Sequence, residues 1–363
     1  MRLLHIADVH LERAFVWLGK QRGDRRRAEL RATLARAIDL AIERRVDALC
    51  IAGDLYDSEM VDDATGSYLT ALFARLPVPV LISPGNHDPF HPGCLYDRVS
   101  WPAHVHVFRE PELTSVPVGD GQIWGRAFRG PRDDGSPLAG VRIPDGGLHL
   151  GLVHADIVAL GTSSPYGPLE PGEILASGLS HVMLGHIHAG RIDQTSHFAY
   201  PGSIEPLDIG ESGEHWALLV DATLGGVTVE PVPLTQRRVV VDRIDITGVD
   251  LLDRFKQLVA ARRENWLGNN VNLRVEGILG GELLLRPAAI DETVAEFDLD
   301  LDLAARPALD LDALAAQQTT LGAFVRAARE RIERASTEGE RRVAGDILAA
   351  GVAAFGGREA FLG

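Results

Sequence analysis

What most constrains this chain is one recurring pattern: a short apolar run that ends in a polar motif, five times over. Asp8-Val9-His10 follows LLHIA, Gly53-Asp54 follows ALCIA, and Gly85-Asn86-His87-Asp88 follows PVLISP. His154 follows HLGLV, and Gly185-His186-Ile187-His188 follows HVML. Each run reads as a strand, and the strand ends of an open α/β sheet gather at one edge, where such folds bind ligands. Residues spread over about 180 positions are therefore expected to meet in space. Asp, Asn and His offer hard oxygen and borderline nitrogen donors, a set suited to Mn²⁺, Fe²⁺ or Zn²⁺. Two such ions side by side need a bridging carboxylate, and Asp54 is placed to be one. In Asp8-Val9-His10 and His186-Ile187-His188 the partners sit two apart, so a regular strand would point both to one side. Glycines at 53, 85 and 185 let the backbone turn where a side chain would block the site. Alone, a strand-end His is usually a hydrogen-bonded loop residue and Gly-Asp a common turn. All five in this order behind strands favour the ligand reading.

The surrounding pattern supports an α/β fold. Leu3–Ala7, Ala48–Ala52 and Val78–Ile82 read as strands. Between them lie a helix from Asp24, with Leu30, Leu34, Ile38 and Ile42 on one face, and a second over Asp62–Leu76. This βαβαβ opening predicts a parallel inner sheet with helices outside. Six short strands follow: His104–Phe108, Ile123–Ala127, His149–Val153, His181–Leu184, His215–Val220 and Val227–Val232. They predict a second, largely antiparallel sheet packed on the first. A boundary falls near 234–238, so residues 1–235 read as one large domain. Strand Val239–Ile246, helix Val249–Arg263 and the alternation of Val271, Leu273 and Val275 suggest a small α+β domain over 236–305. An acidic stretch from Asp291 to Asp312, with Asp298, Asp300, Asp302 and Asp310, reads as solvated surface. Residues 306–363 read as a helical segment, with Leu321, Phe324, Val325, Ala328 and Ile332, then Val343 and Ile347, at helical spacing.

Composition narrows the class. The 363 residues include 45% hydrophobic and 24% charged, a globular balance expected to form about two domains. No apolar run is long enough to span a bilayer, and Asp8 arrives too early for a signal-peptide core. Two cysteines, Cys50 and Cys94, exclude a disulfide framework, so a cytoplasmic location is expected. Cys50 reads as core rather than nucleophile. With 36 basic and 51 acidic residues the net charge is −15, unlike a generic nucleic-acid binder. His5 reads as packed within its strand, while His91, His104, His106, His149, His181, His197 and His215 have no partner motif. Trp17, Trp101, Trp124, Trp216 and Trp266 are too dispersed for a base-stacking platform. No GxxxxGKS loop is present.

The ordered series Asp-x-His, Gly-Asp, Gly-Asn-His-Asp, His, Gly-His-x-His resembles the calcineurin-like metallophosphoesterases. LLHIADVHLERAF, AGDLYD and YPGSIEPLDIGE look like its bacterial DNA-repair exonuclease branch, the SbcD/YhaO type. The resemblance implies a two-sheet metallophosphoesterase sandwich flanked by helices, then a small α+β capping domain and a helical tail. It implies one ion on Asp8, His10 and His188, a second on Asn86, His154 and His186, and Asp54 shared. His87 would be proton donor or phosphate clamp, with Asp88 orienting its imidazole. Asp57 departs from the branch, whose nucleases usually carry a second active-site histidine there. The implied activity is a dinuclear-metal phosphodiesterase, in the first place a Mn²⁺-stimulated DNA exonuclease, with Fe²⁺ or Zn²⁺ as other metals. It would serve DNA repair with an SMC-like coiled-coil ATPase subunit as partner, leave room for a homodimer, and involve no membrane. Arg22, Arg25, Arg26 and Arg27 are candidates for DNA contact, against helical surface charge. The tail helices around Phe324 and Ile347 are either a docking element or packed on the chain's own core. Two other functions fit the same residues: a small-molecule phosphodiesterase or phosphomonoesterase, and a non-catalytic adaptor.

Overall fold

The computed structural model describes residues 1–355, apart from 17–18, 59, 145, 209, 236, 250, 280–289, 291, 294–299 and 306–307. Trp17, Asp291 and Asp298 thus lie outside the described residues, and of Asp300 and Asp302 only the backbone is described. The chain forms two compact units, Met1–Arg238 and Val239–Gly363.

In the first unit the opening strands are β1 (Arg2–Ile6), β2 (Ala48–Ile51), β3 (Val80–Ile82) and β4 (Val105–Val107), all paired in parallel. Their crossovers carry helices α1 (Gly19–Glu43) and α2 (Asp63–Phe73). Period-two alternation assigns the two faces of β1. Leu4 and Ile6 join Leu30, Leu34 and Ile38 of α1, whereas Leu3 and Ala7 join the residues of the facing sheet. Asp24 does not cap α1, which begins five residues earlier; its carboxylate pairs instead with Arg27 one turn on. Asp62 does cap α2, accepting from the Thr65 amide at 2.9 Å. Ile42, expected on the buried stripe, is exposed.

Eight further strands follow, of which β8 and β9 pair only with each other: β5 (Thr114–Val118), β6 (Gly121–Gly125), β7 (Leu148–His154) and β8 (Asp156–Ile157) come first. They are followed by β9 (Pro168–Leu169), β10 (His181–Gly185), β11 (Arg191–Asp193) and β12 (Phe198–Tyr200). The second sheet runs β11-β12-β10-β7-β6-β5. It is not largely antiparallel, as the strand spacing suggested. Its centre, β12-β10-β7-β6, is parallel, and only the two edge pairings are antiparallel. The links from β6 to β7 and from β7 to β10 are long crossovers, the second carrying a short helix, α4, at Pro171–Ser177, so hairpin pairing does not arise. A four-residue helix, α3 (Leu95–Arg98), precedes β4. The last two strands, β13 (Trp216–Thr223) and β14 (Gly226–Pro233), also depart from expectation. They extend the first sheet beside β1, antiparallel, because β13 is apolar on both faces and suits an interior position.

Three apolar layers result. The middle one joins Leu3, Ala48, Cys50 and Leu81 of the first sheet to Leu150, Leu152, Met183 and Ala199 of the second. Burial pushes the Cys50 thiol well above its usual range, so it stays a neutral packing group. His5 also sits in this layer, fully buried, and its Nε2 meets the Leu184 carbonyl of the other sheet at 3.1 Å. Burial, aided by neighbouring His181, lowers the His5 pKa to about 3. The unfolded chain therefore takes up this proton first as pH falls, and stability is lost from about pH 6.5 downward until the folded group titrates. Between pH 7 and 5 the expected loss from His5 is about 2 kcal/mol. Urea unfolding of metal-stripped wild type and His5→Leu at both pH values measures it. Identical pH slopes in the two proteins would refute this role.

The second unit is built on β15 (Val239–Asp245), β16 (Asn270–Glu276) and, after a two-residue strand β17 (Ile278–Leu279), β18 (Asp300–Ala305). They form a parallel sheet in the order β15-β16-β18, while β17 pairs with a two-residue strand, β19, at Ala308–Leu309. Val271, Leu273 and Val275 of β16 are buried with Phe255 of α5 (Leu252–Ala260) and Trp266 of α6 (Arg263–Trp266). The tail forms α7 (Leu311–Ala316), α8 (Thr320–Arg334) and α9 (Glu338–Phe355). Leu314, Leu321, Val325, Leu348 and Val352 belong to the same core as β16, so strands and tail helices here share one interior. Ile347 stands exposed, and Phe324 packs at the core's margin.

Candidate metal centre

The five motifs meet at one edge of the sandwich. Asp8, His10, Asp54 and His87 come from loops after β1, β2 and β3, while His154 ends β7 and His188 follows β10. Three groups of ligand atoms lie within 4.8 Å of one another: Asp8, His10 and His188; His10, Asp54 and His87; Asp8, Asp54 and His154. Asn86 joins through its Oδ1, 2.9 Å from His154 Nε2. His186 lies outside these groups. Its ring centroid is 5.3 Å from that of His154, and its backbone amide donates to both Asp8 carboxylate oxygens at 3.1 Å.

Regular strand alternation does not aim these side chains. Asp8, His10, Asp54 and His186 have φ of 51°, 47°, 52° and 108°, left-handed values that non-glycine residues rarely hold. Such strain persists only where the surroundings over-determine it, as here. The Asp8 amide bonds the Gly53 carbonyl at 3.1 Å, and the His10 amide the Asp54 carbonyl at 2.9 Å. The loops also approach too closely for side chains. A Cβ on Gly85 would stand 2.3 Å from Asp54 Oδ1, and one on Gly185 would stand 1.8 Å from the Ala52 carbonyl.

Hydrogen bonds orient three imidazoles alike. His10 Nδ1 lies 2.7 Å from Asp57 Oδ1, His188 Nδ1 2.7 Å from Glu211 Oε1, and His154 Nδ1 2.8 Å from the Ala52 carbonyl. Each acceptor fixes the proton on Nδ1 and leaves Nε2 for the centre. His10 Nε2 is buried without a hydrogen-bond partner, 3.6 Å from Asp54 Oδ2. A lone pair so placed, beside buried carboxylates and imidazoles of mixed oxygen and nitrogen character, fits divalent transition-metal ions. Burial alone would raise Asp54, but the imidazoles of His154, His10 and His87 hold it below the usual carboxylate range. Burial raises Asp8, the nearby imidazoles opposing. Asp54 Oδ1 accepts from the His87 amide at 2.9 Å, while its Oδ2 faces His10 and His154, so Asp54 touches both halves of the cage.

His87 differs from the rest. Its side chain is 47% exposed, at a cleft lined by Ala14, Asp57, Ser58, Met60, Asn86, Pro131 and Tyr166. Its Nδ1 lies 3.3 Å from Asp57 Oδ1, and that hydrogen bond raises its pKa against the effect of burial. Asp57 thus serves His10 and His87 together, and the imidazoles hold it below the usual carboxylate range although burial opposes this. The orienting role assigned to Asp88 is corrected. Asp88 Oδ1 accepts from the amides of Gly85 (2.6 Å) and Asp54 (3.1 Å), and Oδ2 from the Leu55 amide and the Tyr96 hydroxyl (both 2.6 Å). With both oxygens so occupied it clamps the two loops. Burial, then Asp54, raises its pKa to about 6.

Arg26 is corrected too. It is 4% exposed, pairs with Glu29 and Glu205, and donates to the Pro206 carbonyl at 2.6 Å. Arg27 is engaged with Asp24 and the carbonyls of Arg13 and Ala14. Glu211 was missed as a site residue. It lies 23 positions beyond His188, and only the presence of a carboxylate in YPGSIEPLDIGE signalled it.

Two packed sheets whose strand ends gather buried carboxylates and imidazoles make a candidate centre for divalent metal ions. The model of the family described as calcineurin-like phosphoesterase matches residues 1–190, and the chain belongs to that family, whose centre takes two divalent cations. Among its relatives, the "Uncharacterized metallophosphoesterase YhaO" of Bacillus subtilis (strain 168) is 28% identical over 245 residues, covering 63% of this chain and 59% of that protein. The SbcD component of the nuclease SbcCD of Rhodobacter capsulatus is 26% identical, covering 64% of this chain and 69% of that one. The "DNA double-strand break repair protein Mre11" of Aeropyrum pernix is 26% identical, covering 73% and 71%. The chain thus spans less than two thirds of the YhaO protein's length.

Proposed function

We propose that this protein hydrolyses phosphodiester bonds of DNA at the cage around Asp54, with His87 as proton donor. The observation that supports it best is the pairing of a buried ligand cage with one half-exposed imidazole, His87, held by Asp57. Asp8, His10, His188 and Asp54 would hold one cation, and Asn86, His154, His186 and Asp54 the other, Mn²⁺ foremost. Bound there, the cations supply Lewis-acid polarisation of the phosphate and an acidified water for attack.

The chain's own residues do the rest. Asp57, at His87 Nδ1, raises the pKa of the ring and so favours its protonated form, leaving Nε2 to give its proton to the departing oxygen. Asp88 fixes the loop on which His87 and Asn86 sit relative to Asp54. The choice of DNA rests on the relatives named for nuclease and double-strand-break repair function. A coiled-coil ATPase partner, DNA repair and a cytoplasmic location belong to the same reading. Among the described residues no helix is long and apolar enough to cross a membrane.

The test is hydrolysis by the purified full chain with Mn²⁺ of end-labelled duplex and single-stranded DNA, cyclic nucleotides and an aryl phosphodiester. DNA cleavage is expected. Cleavage confined to the small esters would refute the DNA assignment while sparing the centre. No hydrolysis of any ester, with cations bound, would refute the catalytic reading.

A further inference from the structure

The segment after β12 is built around His188. Gly202, at φ 78°, passes so close to it that a Cβ there would stand 2.4 Å from the His188 carbonyl, and the Ser203 amide donates to that carbonyl at 3.1 Å. Glu211 then returns to the imidazole itself. Its Oε1 lies 2.7 Å from His188 Nδ1, while Oε2 accepts from the Leu207 amide at 2.8 Å and the Ser203 hydroxyl at 3.1 Å. Oε2 is thereby held by two donors other than the ring, so the carboxylate is anchored independently of His188. The far side is tied down as well. His215 Nδ1 lies 2.8 Å from the Ser203 carbonyl, Glu205 accepts from Thr33 of α1 at 2.6 Å, and Arg26 of α1 reaches Pro206.

We infer that Glu211 is a positioning residue: its anchored carboxylate fixes the His188 ring and tautomer, so that Nε2 is presented to one cation of the centre. The inference rests on the metal-centre reading above and adds to it a residue beyond the stretch matched by the family model, which ends at 190. Carboxylates that orient a ligating imidazole typically change metal affinity by about 10–100-fold when removed. Glu211→Gln keeps the shape but has one acceptor oxygen where three donors compete, so His188 loses its fixed partner.

The experiment is equilibrium Mn²⁺ binding to the metal-stripped full chain, with free ion followed by electron paramagnetic resonance. Wild type, E211Q, H188N and the E211Q/H188N double variant are compared, with urea unfolding of each metal-free protein alongside. Wild type is expected to bind two ions, and E211Q to weaken one of them by about 10–100-fold without altering the other. In the H188N background E211Q is expected to add less than about twofold, because distant or independent effects add and a shared path does not. A purely structural role would lower the urea midpoint and leave this cycle additive, and that result overturns the proposal. So does E211Q binding both ions as wild type does. Ser203→Ala, which removes one of the two donors to Glu211 Oε2 and leaves the ring intact, is expected to weaken the same ion by a smaller factor. That variant decides the matter if H188N does not fold; unchanged affinity there overturns the proposal. Failure of wild type to bind any ion would instead bring down the metal-centre reading and this inference together.

Discussion

Substituting alanine for His87 is expected to lower kcat on a phosphodiester by about 10²- to 10⁴-fold while leaving both cations bound. The expectation follows from exposure and partners. His87 is the half-exposed imidazole of the cluster, and Asp57 holds its Nδ1 and raises its pKa, which favours the protonated ring that an acid needs. Its ring is assigned to neither cation, and its backbone amide to Asp54 Oδ1 is retained by alanine. KM and Mn²⁺ stoichiometry should therefore change little. The deficit should also shrink on an aryl diester, whose leaving group departs without a proton. Wild-type turnover in H87A, or equal loss on both substrates, would show that His87 does not deliver a proton.

Asp88→Ala is expected to destabilise the metal-free protein by at least about 4 kcal/mol. Three backbone amides and the Tyr96 hydroxyl converge on this buried carboxylate, and each buried donor left unpaired costs roughly 1–3 kcal/mol. Asp88→Asn, which keeps one acceptor oxygen, should lie between alanine and wild type. Urea unfolding of the three stripped proteins measures the series. If Asp88 instead acted on the His87 ring, D88A would lose turnover and keep its stability, the reverse of the expectation.

The contrast between these residues shows what sequence reading reaches. Asp8, His10, Asp54, Asn86, His154 and His188 were legible because each ends an apolar run, and strand ends share an edge whatever the sheet order. The sheet order itself was not legible. β13 pairs with β1 rather than with the nearer β12, and β14 follows it as the edge strand, a choice made by apolar faces on both sides of β13 and not by chain proximity. Asp88 looked like a partner for the adjacent His87, but neighbours in a tight loop diverge, and its oxygens turned inward to amides that carry no sequence signal. Asp57 read as a departure from a histidine pattern, whereas its place between His10 and His87 is a matter of three dimensions. Arg26 read as a DNA contact or as helical surface charge within an arginine run, yet helical periodicity turns it toward Glu205 and Pro206. Glu211 could not be paired with His188 without the close passage at Gly202.

The cage draws Asp8, His10, Asp54 and Asn86 from one sheet of the sandwich and His154, His186 and His188 from the other. Cations seated there would act as rivets between two layers already joined by apolar packing, the His5 contact and the hydrogen bonds His154–Ala52 and His186–Asp8. By mass action an ion at a hundred times its dissociation constant adds about 2.7 kcal/mol to the folded state. Cellular metal supply would then govern how long the molecule survives as well as how fast it works, with starvation loosening the seam that catalysis depends on.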